Sequence, residues 1–294
     1  MTFTARTTAT EILDGVDLTG RRIIVTGGAT GLGAETARVL TEAGAEVTVA
    51  VRHPESVRAP RTAALDLSDL RSVAAFARSW TGPLDALVAN AGVMAIPERQ
   101  VSAQGWEMQL ATNYLGHFAL AVALHGNLAA SGSGRLVVVS SGAHRDVPFD
   151  FGDPQFERRP YDRWQAYGQS KTADVLLAVG AAGRWAADGI TANALNPGWI
   201  MTGLQRHVDD DTMKAMGAMD ADGRIIEQPY SKTLAEGAAT AVLLAGSPLV
   251  AGITGQYFED NQIAGPAQVA AHALDPAAAD RLWDYASVAI TKAG

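Results

Sequence analysis

Residues 22–26 (RIIVT) run directly into Gly27-Gly28-Ala29-Thr30-Gly31-Leu32-Gly33, and an apolar periodic segment over 32–43 follows. A short β-branched strand, a glycine turn and a helix in that order leave few folds open. Glycines there let the backbone approach a pyrophosphate at the helix N-terminus, where unpaired N–H groups and the helix dipole favour anions. Glycines needed only for a tight turn would look similar in isolation, but the strand–turn–helix context favours nucleotide binding. No Lys-Ser/Thr pair follows, so the turn is not a P-loop. Gly27, Thr30, Gly31, Leu32 and Gly33 are therefore candidate cofactor residues.

The same rhythm continues down the chain. Strands are expected at 46–51, 62–65, 84–89, 135–140, 191–196 and 255–258, and helices at 70–80, 103–130, 164–188 and 234–245. The strands are short, rich in Val, Ile and Leu, and mostly without polar alternation, as strands buried on both faces are. Strand–helix alternation with right-handed crossovers predicts an α/β fold. Its form is a Rossmann-type, doubly wound parallel sheet in three layers. No linker or internal repeat divides the chain, which reads as one domain over 1–294. Two long connections, 144–166 and 199–231, leave the carboxyl ends of strands, where such sheets bind ligands. Both are expected to be active-site or substrate-lid segments.

Composition narrows the function. Lys plus Arg is 23 against 31 Asp plus Glu, a net charge of −8, which disfavours nucleic acid and anionic membranes. There is no Cys, which excludes disulfides, Cys-ligated metal and a thiol nucleophile and fits a reducing cytoplasm. The Thr-rich N-terminus lacks the apolar core of a signal peptide. The most apolar helical stretch, 118–130, is too short for a membrane span, so no anchor is expected.

The end of the second strand distinguishes the cofactors. NAD-binding folds usually place an acid there for the ribose hydroxyls. Here Val51 is followed by Arg52, which suits a 2′-phosphate and favours NADP(H) over NAD(H). A solvated surface Arg is the alternative. Asp66-Leu67 ends the third strand and could border the adenine, although Asp66 also lies beside the helix-capping candidates Ser68 and Asp69.

Tyr167 and Lys171 stand at i and i+4 on the long helix and share a face. An ammonium beside a phenol favours the phenolate and lowers its pKa from about 10, which suits general acid–base work. Ser140-Ser141 ends the fifth strand, where a hydroxyl could hold a carbonyl oxygen or merely satisfy a backbone group. Asn113 lies mid-helix, an unfavourable place for Asn. Asn90-Ala91-Gly92 follows the fourth strand, and Pro197, Gly198, Ile200 and Thr202 follow the sixth.

Together these residues resemble the short-chain dehydrogenase/reductase family over roughly 17–260. TGGATGLG is similar to TGxxxGxG with single-domain spacing, and Ala89–Gly92 is similar to NNAG with Ala89 replacing the first Asn. The resemblance implies that Asn113, Ser141, Tyr167 and Lys171 are catalytic. It favours Ser141 over Ser140 because the second Ser of such a pair usually matches. Asn90, Ala91, Gly92, Pro197, Gly198, Ile200 and Thr202 join the cofactor set, with Tyr167 and Lys171. Ser141 and Tyr167 are 26 positions apart, a long gap. With DLSDL (66–70), SSGAH (140–144) and GQYFED (255–260), it looks like the retinol-dehydrogenase-like and protochlorophyllide-reductase-like subgroups. The second matches less well, since that reductase usually relies on a Cys. The inserted 144–166 would then lie over the active site.

The activity implied is reversible, NADP(H)-linked interconversion of a carbonyl and an alcohol on a small to medium organic substrate. Tyr167 would act as acid and base, Ser141 would orient the substrate oxygen, and Lys171 would tune Tyr167 and bind the nicotinamide ribose. Asn113 would hold a water that resupplies the proton. Double-bond reduction on a conjugated substrate and a non-catalytic NADP(H) sensor are the alternatives.

Other features read more plainly. His117, His125, His144 and His207 make no metal pattern and are taken as scattered surface or lid residues. Asp209–Asp211 reads as a helix start. Tyr161 and Trp164 would line a pocket or pack the lid. Many relatives assemble through the helix carrying Tyr167 and the helix before it, so a homodimer or homotetramer is open. The C-terminal tail, with Leu282, Trp283, Tyr285 and Val288 at near-helical spacing, could pack on the body, cover the pocket or meet a partner.

Overall fold

The apolar strands feed two hydrophobic cores at once. In this computed structural model, which describes residues 3–293, Ile24, Leu87, Leu136 and Val138 point to one face of the sheet. Ile23, Val25, Val88, Val137 and Val139 point to the other. Alternate side chains are thus all buried, which is why the runs show no polar alternation. Truncating one such side chain, Leu87→Ala for instance, would cost about 2–5 kcal/mol. Residues 1, 2 and 294, and with them the outer ends of the one-domain reading, lie outside the described residues.

A short helix, α1 (Ala9–Ile12), precedes β1 (Arg22–Thr26), α2 (Gly31–Glu42), β2 (Glu46–Val51), β3 (Thr62–Ala64), α3 (Leu70–Ser79) and β4 (Ala86–Ala89). Next come α4 (Met108–Leu110), a π-turn (Ala111–Leu115), α5 (Gly116–Ala123), α6 (His125–Ala130), β5 (Arg135–Val139) and α7 (Arg163–Trp185). The chain continues through β6 (Thr191–Asn196), α8 (Asp210–Ala215), α9 (Leu234–Gly246), β7 (Tyr257–Glu259), β8 (Gln262–Ile263) and α10 (Pro276–Ala293). Strand order is β3-β2-β1-β4-β5-β6-β7-β8, with the first seven parallel and β8 antiparallel at the edge. The order reverses between β1 and β4, which makes a ligand crevice at their carboxyl ends.

The helix expected over 103–130 differs most. It begins only at Met108, opens into the π-turn at Asn113 and breaks again at Leu124. The cause is tertiary. Asn113 spends its side chain on Val93 and Ser170, and the backbone of Gly116 lies so close to Leu67 O that a Cβ would collide with it. Asp209 caps α8 as expected, and Asp69, not Asp66, caps α3.

The tail packs on the body. α10 lies across α5 and α7, with Trp283 edge-on to both Phe118 (centroids 4.9 Å apart) and Trp185 (5.4 Å). Tyr114 donates its hydroxyl to Leu282 O. α10 therefore covers part of the outer face of α5 and α7. The segment 144–166 is also placed otherwise than expected. Only Trp164 of it lines the central cleft, while Phe149 packs on Phe151 and Tyr285, and Gln155 donates to Tyr285. Tyr161 packs too, with its hydroxyl against Ile96 O and Gln109 Nε2.

Candidate active site

One cleft of about 1380 Å³ runs along the carboxyl ends of β1–β6. It is lined by Gly27, Thr30, Gly31, Leu32, Gly33, Arg52, Asp66, Leu67, Asn90, Ala91, Gly92, Ser141, Tyr167, Lys171, Pro197, Gly198, Ile200 and Thr202. Of the catalytic and cofactor candidates read from sequence, Asn113 alone stays behind its wall, fully buried.

The glycine turn is folded tightly on itself and against the Asn90–Gly92 turn. Gly27 has φ +68°, and a Cβ there would sit 2.8 Å from Ala91 Cα. A Cβ at Gly33 would sit 2.6 Å from Gly27 O. Thr30, the residue before α2, makes no side-chain capping bond, so the first N–H groups of α2 keep their capacity for an anion. Arg52 makes no hydrogen bond or ion pair among the described residues, whereas the Asp66 carboxylate accepts from Ser68 N and Oγ. A phosphate-bearing dinucleotide fits this set. The pyrophosphate would meet α2, and Arg52 is free to take a further phosphate.

Two neighbouring serines take different roles. Ser140 is buried and donates Oγ to Lys171 O at 2.8 Å, locking β5 to α7. Ser141 is half-buried at the cleft wall, and its Oγ accepts only from Ala143 N at 3.2 Å, so its proton is free. Tyr167 packs with Met94 and Ala95, and its hydroxyl has no protein partner among the described residues. Behind it, Lys171 Nζ lies 5.9 Å from the Tyr167 ring centre. Nζ donates to Val139 O at 2.9 Å and to Asp174 Oδ2 at 2.8 Å. Burial by itself would strip the Lys171 proton, but the charges of Asp174 and Tyr167 outweigh it and raise the ammonium pKa. Burial pushes Asp174 up to about 7 against the pull of Lys171.

Asn113 organises the wall. Its Oδ1 accepts from Val93 N at 2.8 Å, and its Nδ2 donates to Val93 O at 3.0 Å and Ser170 Oγ at 2.8 Å. Its carbonyl oxygen lies 2.8 Å from His117 Nδ1. A carbonyl only accepts, so Nδ1 carries the proton and Nε2 is an acceptor. The hydroxyl 2.9 Å from Nε2, on Thr26, must then donate, leaving its lone pairs for Asn90 N and Ala91 N. Burial pushes His117 down to about 4, so it stays neutral.

This corrects the reading of His117 and His144 as surface or lid residues, since both are buried. His144 bonds Ser141 O through Nδ1. Among the described residues no group of three or more His, Asp or Glu could hold a metal, and no helix is long and apolar enough to cross a membrane. Sequence reasoning missed Thr26, His117 and Asp174. The signals present were local ones: His117 four residues after Asn113, and an acid three residues after Lys171 on an otherwise apolar helix face.

Comparison with known proteins agrees with this geometry. A family model described as short chain dehydrogenase matches residues 21–213. A "Probable oxidoreductase" of Streptomyces lividans is 64% identical over 92% of this chain and 97% of its own. "Retinol dehydrogenase 14" of Homo sapiens is 32% identical over 92% of this chain and 86% of its own. The crystal structure of a gluconate 5-dehydrogenase from Burkholderia cenocepacia, in complex with NADP and tartrate, superposes with TM-score 0.62 at 25% identity. It covers 82% of this chain and 94% of its own. The chain belongs to the short-chain dehydrogenase/reductase family of NAD(P)-dependent oxidoreductases.

Proposed function

We propose that this short-chain dehydrogenase interconverts a carbonyl and an alcohol on an apolar, medium-sized substrate, with NADP(H) as its cofactor. The observation that carries the reading is the free Tyr167 hydroxyl, which shares the cleft with a free Ser141 proton and has the Lys171 ammonium behind it. When bound, NADP(H) supplies hydride to the carbonyl carbon or accepts it from the alcohol.

In the reducing direction Ser141 donates a hydrogen bond to the carbonyl oxygen and fixes its place. Tyr167 then gives its phenolic proton to the oxygen as negative charge develops there. Lys171 holds positive charge beside the phenol, which favours the phenolate until a proton returns, and its third N–H is left for a ribose hydroxyl. Asn113 keeps the Asn90–Val93 turn against α7, and its carbonyl oxygen retains a lone pair for the proton-carrying water. Arg52 would hold the 2′-phosphate, and the α2 N-terminus would hold the pyrophosphate.

The substrate class follows from the wall beyond Tyr167. Met94, Ala143, Trp164, Leu204, Val208, Met213 and Met216 face the cleft there. Flexible Met side chains and a Trp suit an apolar body of variable shape. The segment 199–231 supplies most of that wall and acts as the substrate lid.

The test is NADPH oxidation across aliphatic, aromatic, polycyclic and carboxylated aldehydes and ketones, with product analysis on an enone to exclude double-bond reduction. Apolar carbonyls should be preferred. Tyr167→Phe should abolish turnover while leaving NADPH binding nearly intact. Near-wild-type activity in that variant sinks the proposal.

A further inference from the structure

One buried acid stands outside the mechanism just given. Asp174 follows Lys171 by one turn of α7 and is 1% exposed. Its Oδ2 bonds the ammonium at 2.8 Å, while Oδ1 is buried with no partner. Such a pair is a poor source of stability, because desolvating two charges offsets their attraction and an orphaned oxygen adds to the loss. An apolar residue would suit this Ala-rich helix better if packing were the only demand. The charge instead touches the group that faces Tyr167. Lys171 has three protons to donate. Val139 O and Asp174 take two, and the third is left toward Gly92, where a Cβ would stand 3.9 Å from Nζ.

We infer that Asp174 is a positioning residue for the proposed reaction. It holds the Lys171 ammonium against the end of β5 and keeps it charged where it faces Tyr167. The inference rests on the reading of Tyr167 as proton donor and acceptor. Without Asp174 the buried ammonium would lose the carboxylate that holds its proton against burial, less positive charge would face the phenol, and phenolate would form at higher pH.

The groups around the pair leave this role to Asp174. Tyr114 faces it from the π-turn and stays protonated, held up by burial and by the Asp174 charge itself. His117 on α5 is pushed down to about 4 by burial and is neutral. Tyr257 on β7 is held up by burial, and His144, after β5, is held down by it. Tyr285 on α10 and Arg184 on α7 act on Tyr114 from further away. No other carboxylate contacts Nζ among the described residues.

Asp174 stands seven residues from Tyr167, about 10 Å along the helix. The ammonium it holds is nearer, 5.9 Å from the ring centre, so at an effective dielectric of about 20 losing both charges corresponds to a net rise of about one pH unit at the phenol. The experiment follows Tyr167 phenolate formation by ultraviolet difference absorbance, with the Tyr167→Phe trace subtracted from each protein. Asp174→Asn should move the midpoint about one pH unit to the alkaline side. Asp174→Ala serves as the neutral variant if Asp174→Asn does not fold, and Asp174→Glu should keep the wild-type midpoint. A neutral variant with an unmoved or acid-shifted midpoint overturns the inference, as does a Glu variant shifted as far as the neutral one. Turnover is measured separately on the wild type. A shifted midpoint in a protein without turnover supports the coupling and removes only the activity, whereas an unshifted midpoint in an active enzyme removes the coupling alone.

Discussion

The Nε2 of His117 lies 2.9 Å from the hydroxyl of Thr26, and this single bond joins the end of β1 to the helix segment that carries Asn113. The direction of every bond in the chain is set. Asn90 and Ala91 N–H groups donate to Thr26, Thr26 donates to His117, and His117 donates to the Asn113 carbonyl. Thr26 is thus the hinge between the cofactor turn and the wall behind Lys171.

Thr26→Val keeps the shape but removes the hydroxyl, leaving the Ala91 N–H and one imidazole nitrogen unpaired, while Asn90 N–H keeps Val88 O at 3.0 Å. The expected cost is about 2–3 kcal/mol of stability, with weaker NADPH binding as the Asn90–Gly92 turn loosens. Thr26→Ser should behave as wild type. Urea denaturation and cofactor titration check both, and a Val variant as stable as wild type would refute the network.

His117 predicts a pH dependence. Its folded value is about 4 because burial penalises the imidazolium, while an unfolded His titrates near 6.5. Between those values the unfolded chain binds the extra proton, so stability is complete above about 6.5 and falls as pH drops toward 4. Asp174, pushed up to about 7 by burial, works in the opposite sense over the same range. The His117 contribution is therefore read as a difference between proteins. From pH 7 to pH 5 the wild type should lose about 2 kcal/mol more than His117→Gln does. Equal losses would show that the imidazole is protonated in the fold.

Arg52 carries the cofactor preference. A charge-assisted hydrogen bond is worth about 1.5–3 kcal/mol. Arg52→Ala should weaken NADPH about ten- to a hundredfold and leave NADH nearly unchanged, as read by nucleotide fluorescence titration. Equal loss for both nucleotides would remove the 2′-phosphate assignment.

Trp283 pins α10 over α5 and α7 through Phe118 and Trp185. Trp283→Ala should cost about 3 kcal/mol. While α10 is docked, assembly through the α5/α7 face is blocked, so light scattering of the whole chain should give a monomer or an assembly built on another face. A dimer whose hydrogen-exchange protection maps onto α5 and α7 would contradict this.

Much of the site was legible from local pattern. Tyr167 and Lys171 share a helix face by spacing alone, and the glycine turn declares itself between a strand and a helix. The choice of Ser141 over Ser140 came from the family pattern, and its physical reason is long-range: Ser140 spends its proton on the Lys171 carbonyl. The break at Asn113 was invisible because its cause, the Val93 turn, lies 20 positions away. The 144–166 segment was misplaced for the same reason. Its anchor Gln155 finds Tyr285 at a separation of 130 residues.

The sequence by itself determined the layered α/β fold, the nucleotide turn and the Tyr–Lys pair, because hydrophobic period, glycine placement and i, i+4 spacing act between near neighbours. Tertiary structure decided which serine keeps a free proton at the cleft, that His117 is a neutral bridge, that Lys171 is bound to a buried Asp174, and that α10 packs on the outer helix face. Those outcomes depend on which groups lose water together. Burial and the partners met there set protonation, hydrogen-bond direction and exposure, and only the folded chain brings those partners into contact.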